Sequence, residues 1–128
     1  MSGVPRAAQI DDLPALFGGL MKLARSGLGI TGFGVQVLDL PPSYTTQSHA
    51  ETATGQEELY VALRGDGSVV VDGSTGTRLA EGVLVVVPPE CDRALSSGPD
   101  GLRVLVIGGT PGQAYEPPAW TNAEEVAA

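Results

Sequence analysis

From Gly34 to Gly109 short apolar runs alternate with turn residues. GVQVLDL gives way to PPS, then come YTTQSH, the polar loop AETATG and the run EELYVALR. Asp66-Gly67, SVVV, Asp72-Gly73 and STG follow, then TRLA, the turn EG, VLVVV, PPE, a segment around RALSS, the turn GPDG and LRVLVIGG. The pattern predicts about eight short strands, and the two Asp-Gly pairs predict hairpin turns because glycine tolerates the positive φ such turns need. No helical period separates the strands. Parallel βαβ units are therefore excluded, and an all-β sandwich or small barrel is expected.

Outside that core the pattern is less regular. DDLPALFGGLMKLAR reads as a helix started by Asp11 or Asp12, or as a short helix followed by a strand from about Leu20 to Ala24. Gly18-Gly19 favours the second reading, since each glycine costs a helix interior roughly 1 kcal/mol relative to alanine. The tail TPGQAYEPPAWTNAEEVAA is proline-rich and then acidic, with Tyr115 and Trp120 as anchors and a frayed end. The chain of 128 residues reads as one domain: an N-terminal extension over 1–33, a core over about 34–109 and a tail over 110–128.

Composition narrows the function. Eighteen glycines, ten prolines and an apolar content of Val, Leu and Ala suit strands and tight turns. The net charge of -8 leaves no basic cluster to displace counterions from a phosphate backbone, which excludes nucleic acid, and it repels anionic membranes. One cysteine, Cys91, excludes an internal disulfide and a multi-cysteine zinc site. With no apolar stretch behind a basic start, the expected location is the cytoplasm.

Two motifs then carry a resemblance. Glu58, the six residues LYVALR and Gly65 match the second half of the pattern G-x5-H-x-H-x3,4-E-x6-G, and Gly82, VLVVV and Pro88 match the first half of G-x5-P-x-G-x2-H-x3-N. The chain resembles the cupin superfamily over about Gly34 to Gly109, and more narrowly a set of small single-domain bacterial cupins. The resemblance implies a double-stranded β-helix, or jelly-roll, barrel, and it implies a homodimer.

The resemblance also shows a degenerate metal motif. In such cupins two histidines, a glutamate and a third histidine converge on one Mn, Fe, Ni or Zn ion. Aligned by residue, the second histidine is His49, the chain's only one, and the first is replaced by Gln47. Glu58 is kept, and the third histidine becomes Arg93. An amide is a poor ligand beside imidazole, and a guanidinium only donates hydrogen bonds. The metal set is thus His49, Glu58 and Gln47 if a divalent metal binds at all, and no cofactor is favoured.

Register gives each residue a direction. Gln47 and His49 share one strand face, and Glu58 shares its face with Tyr60 and Ala62, while Glu57 has the opposite parity and faces solvent. An inward carboxylate at the start of an apolar strand calls for a partner, and Arg93 is the expected one. Cys91 falls at the pocket rim, and Glu51 belongs to the loop.

Three functions fit. The first is a small-molecule enzyme acting by proton transfer, an isomerase, cyclase or lyase working on a small anionic metabolite. In it His49 is the base, Glu58 its partner and Arg93 the group that stabilises an oxyanion, with Gln47, Tyr60 and Arg93 binding the substrate. The second is a non-catalytic cupin that binds a small molecule. The third is a metal-dependent oxygenase or lyase with an incomplete Gln/His/Glu site.

Overall fold

Residues 3–74 and 76–121 are described by the structure, a computed structural model. Among these residues are seven strands: β1 (Ala15–Leu16), β2 (Met21–Lys22), β3 (Gly34–Leu40), β4 (Glu57–Val71), β5 (Thr77–Ala80), β6 (Leu84–Val87) and β7 (Arg93–Gly109). One short helix, α1 (Ala24–Leu28), lies between β2 and β3. Every pairing is antiparallel, as expected for a chain without crossover helices.

Two long strands, β4 and β7, organise everything else. Their outer parts pair Glu57–Ala62 with Val104–Gly109 and are flanked by β3 on one side and β6 on the other. Their other parts pair Gly67–Val71 with Arg93–Ser97 and are flanked by β5. Register shifts between Ala62 and Arg64 and between Gly65 and Gly67 mark the bend from one layer to the other. The result is a jelly roll whose two layers share their central strands. Among the described residues the hydrogen-bonded path runs β1-β2-β3-β7-β4-β5, with β6 on β4, and does not close on itself.

The core lies between the layers. Leu40, Tyr60, Ala62, Val85, Val87, Leu102 and Val104 come from one layer, and Val69, Leu79 and Leu95 from the other. These are alternate positions on their strands, which is the signature of one buried face per strand.

Three local expectations change. Asp66-Gly67 is not a hairpin turn, and neither is GPDG; both lie inside continuous strands. They serve as the bends of β4 and β7. Gly65 has φ 80, and a Cβ there would sit 2.2 Å from the Gly101 carbonyl oxygen, so the two bends pack backbone to backbone. Asp72-Gly73 is a true turn, with φ of 52 and 74, and it joins β4 to β5. In the N-terminal extension, Gly18 and Gly19 take φ of 65 and 98 and fold β1 back onto β2, so no helix starts at Asp11 or Asp12 beyond a single 3-10 turn over Ile10–Asp12. The strand expected over Leu20 to Ala24 shortens to Met21–Lys22, and α1 follows, ended by Gly29 in the left-handed conformation. The frayed end expected for the tail falls on residues 122–128, outside the described residues.

Candidate functional site

A pocket of about 740 Å³ opens at one end of the jelly roll. Its apolar walls include Leu38, Leu95 and Val106, and its polar side holds Gln47, His49, Glu51, Glu58 and Arg93. The N-terminal extension and the tail border it through Phe17, Leu20, Tyr115 and Trp120.

Local pairing sets the direction of the polar groups. The segment YTTQSH forms two isolated bridges, Thr45 with Ser96 and His49 with Arg93, so it lies along β7 without making a full strand. His49 N–H donates to the Arg93 carbonyl at 2.9 Å, and Arg93 N–H donates back to the His49 carbonyl at 2.7 Å. Directly opposed residues project from the same face, so both side chains enter the pocket wall. Glu58 and Tyr60 reach it from β4 by strand alternation.

Arg93 has no accessible surface. Its Nη1 donates to Glu58 Oε1 at 3.0 Å and its Nη2 to the Pro88 carbonyl at 2.8 Å. The Tyr60 hydroxyl donates to the same Glu58 oxygen at 2.6 Å. Burial, and then the adjacent Glu58 charge, push the Tyr60 phenol well above its ordinary range, so it stays a neutral donor. Both Nη atoms of the cation are thus taken, by Glu58 and by a carbonyl, while its Nε is buried without a hydrogen-bond partner. Its positive charge is neutralised within the protein.

His49 is half exposed at the pocket mouth. Its Nε2 lies 3.1 Å from Glu51 Oε2 and 3.9 Å from Glu58 Oε1. Glu51 is held in place: its own N–H donates to the Pro89 carbonyl, and Gly55 N–H donates to the Glu51 carbonyl at 2.8 Å. His49, Glu51 and Glu58 each bring one atom to within 4.8 Å of the others. Sequence alone assigns Glu51 to the loop. The available signal was its spacing, two residues after His49, which puts both on one face if the chain stays extended.

The remaining assignments divide. Gln47 lines the pocket and is exposed, and Glu57 faces solvent. Cys91 packs partly buried against the core and is not among the residues lining the pocket. Tyr115 and Trp120, expected as anchors of the tail, both line the pocket. Tyr115 rests its hydroxyl against Gly34, where a Cβ would lie 2.6 Å away. Gln36, Tyr44 and Phe17 are pocket residues that no sequence signal singled out.

Solved structures place this architecture. A cupin protein from Bacteroides fragilis superposes with a TM-score of 0.70 at 23% identity, covering 94% of this chain and 95% of that one. An RmlC-like cupin from Desulfovibrio desulfuricans gives 0.57 at 17% identity, over 85% of this chain and 94% of the other. A protein from Silicibacter pomeroyi described as a cupin-superfamily sugar phosphate isomerase gives 0.58 at 18% identity, over 71% and 59%. No protein-family model matches the sequence, and no curated protein does. The chain has the cupin fold. Among the described residues no helix is long and apolar enough to cross a membrane.

Proposed function

We propose that this chain binds a small organic molecule in the pocket and moves a proton on it, with His49 as the base and Glu51 as the carboxylate that orients it. The observation that carries this reading is the 3.1 Å contact between His49 Nε2 and Glu51 Oε2 on the wall of the pocket. When Nε2–H donates to Glu51, the lone pair rests on Nδ1, and Nδ1 is the nitrogen that takes a proton from the ligand. Glu51 then stabilises the imidazolium that forms, as an orienting carboxylate does beside a catalytic histidine. Arg93 and Tyr60 act one step back by fixing Glu58 beside the imidazole. The presence of an isomerase among proteins of this fold supports isomerisation as a reaction type.

The test is deuterium uptake from solvent. The protein is incubated with a metabolite extract in heavy water, and the products are compared by mass spectrometry with those of His49→Ala. A compound labelled or consumed by the wild type alone supports proton transfer. If wild type and variant give the same spectra, the chain is a binding protein and not an enzyme of this kind.

A second reading rests on the cluster of His49, Glu51 and Glu58. One imidazole and two carboxylates fit a hard divalent cation such as Mn²⁺ or Fe²⁺, with Glu51 supplying the donor that Gln47 lacks. Such an ion would supply Lewis-acid polarisation of a bound oxygen. Arg93, 3.0 Å from Glu58, weakens the site by its charge. Elemental analysis of tag-free protein decides: near-stoichiometric metal that is lost in Glu51→Ala establishes the metal reading, and an empty site removes it.

A further inference from the structure

The chain holds two phenylalanines, three tyrosines and one tryptophan. Five of these six, Phe17, Tyr44, Tyr60, Tyr115 and Trp120, line this one pocket. They arrive from separate segments: the N-terminal extension, the stretch before His49, β4 and the tail. A protein so poor in aromatic rings has gathered nearly all of them at a single cavity.

Three of the five are left largely open. Phe17 is 67% exposed, Trp120 53% and Tyr44 39%. Phe17 also has a φ of 56, a conformation that a bulky residue adopts only at a cost and that recurs at ligand sites. Trp120 sits in a 3-10 turn whose neighbour Thr121 is buried and donates its hydroxyl to the Pro118 carbonyl. The turn is therefore held at the mouth, with the ring half exposed among the described residues.

The charges around the pocket point the same way. Arg93 is the one Lys or Arg among the described residues lining it; it is paired with Glu58, and although its Nε has no partner, the side chain has no accessible surface. Glu51 leaves the lining net negative unless His49 is protonated, so a carboxylate or phosphate finds no free cation there. Gln36 adds a buried side-chain oxygen, Oε1, that has no hydrogen-bond partner and lies in the pocket wall. A buried acceptor of this kind calls for a donor.

We propose that the pocket takes a neutral, planar ring compound with O–H donors on one edge: a phenol or a hydroxylated fused-ring aromatic. The ring lies among Phe17, Tyr44, Tyr115 and Trp120, and its hydroxyl edge faces Gln36, Glu51 and His49. Stacking and edge contacts with aromatic side chains favour such a ring. A cavity of about 740 Å³ has room for two or three fused rings. The phosphate of a sugar phosphate would meet no accessible Lys or Arg on these walls. This inference rests on the reading that the pocket is the substrate site, and it names the substrate class for it.

Calorimetric titration of the full chain with 2-naphthol, 2-naphthoate and glucose 6-phosphate tests it. One-to-one binding of 2-naphthol is expected, with 2-naphthoate at least tenfold weaker and no heat from glucose 6-phosphate. Phe17→Ala weakens 2-naphthol at least fivefold while leaving the melting temperature within a degree or two, because the ring is exposed. Glu51→Gln narrows the gap between naphthol and naphthoate. The proposal is overturned if 2-naphthol does not bind, if either anion binds as tightly, or if Phe17→Ala changes nothing. The two readings fail separately. Naphthol binding without deuterium uptake removes proton transfer and keeps the ligand class, and uptake on a sugar phosphate does the reverse.

Discussion

His49 and Arg93 exchange both of their main-chain hydrogen bonds, at 2.9 and 2.7 Å, and so send an imidazole and a guanidinium to the same face of the jelly roll. Between them stands Glu58, whose Oε1 lies 3.0 Å from Arg93 Nη1 and 3.9 Å from His49 Nε2. The pair divides the polar wall into two parts with different consequences. Arg93 belongs to a buried ion pair, and His49 to an accessible dyad with Glu51.

The buried part makes the first prediction. Arg93→Met removes the cation and leaves the Glu58 carboxylate, 14% exposed, without its partner. Stranding a charge in this way costs about 3 kcal/mol, which urea denaturation at pH 7 would measure. Adding Glu58→Gln to the same chain should recover more than half of the loss, because the stranded charge is gone. A single-variant loss below about 1 kcal/mol, the range of exposed pairs, would rule out the buried pair as a source of stability.

Tyr60 gives a prediction in alkaline solution. Tyr60→Phe loses the 2.6 Å hydrogen bond to Glu58 and should cost about 2 kcal/mol at pH 7, as for a bond to a charged acceptor. The folded-state pKa is raised, so the native phenol keeps its proton at a pH where the unfolded tyrosine, at 10.0, has released it. Stability from this group is fully present below pH 10 and falls as the pH rises further. The wild-type and Tyr60→Phe curves should therefore converge above pH 10. Parallel curves through that range would contradict the burial argument.

Asp11 gives the opposite sign in acid. Arg103 donates to both Asp39 carboxylate oxygens and to Asp11, tying the N-terminal 3-10 turn to β7 across β3. The hydrogen bond from Arg103, and then its charge, hold the Asp11 carboxyl below its ordinary 3.8. A depressed carboxylate stabilises the fold above its unfolded value, and that contribution disappears as the pH falls through the folded value. Asp11→Asn should melt below the wild type at pH 6, and the difference should shrink progressively as the pH falls below 3.8. Calorimetric melts at both ends of this range would show it.

Gly65 tests the bend of β4. Gly65→Ala places a Cβ 2.2 Å from the Gly101 oxygen at a φ of 80, so both strand bends must shift. The expected loss is about 3 kcal/mol. Gly82 has a similar φ of 87 but meets nothing within 4 Å, and Gly82→Ala should cost only about 1 kcal/mol. Equal losses for the two would mean that dihedral strain alone, and not the backbone contact, sets the value.

What could be read from the chain followed from local period. Alternation in EELYVAL placed Glu58, Tyr60 and Ala62 on the core side, and the structure puts Tyr60 and Ala62 in the core cluster. Asp72-Gly73 announced its turn because only a few residues accept positive φ there. The same signals misled at Asp66-Gly67 and GPDG. A glycine that permits a turn equally permits a bend, and only the opposing strand decides between them.

The site was half legible for the same reason. Sequence register put His49, Glu58 and Arg93 within reach of one pocket, since strand parity fixes which face a side chain leaves from. It left Glu51 apart from His49, because their two-residue spacing brings them to one face only if the loop stays extended; in the fold the Pro89 carbonyl, 38 residues away, accepts from Glu51 N–H, and the carboxylate lies 3.1 Å from His49. Nor could it show that Phe17 and Trp120, 103 positions apart, border one cavity. The chain by itself determined which residues face inward along each strand. Tertiary packing alone decided which of them meet, because long-range convergence is set by how the two layers close on each other and not by any neighbour in sequence.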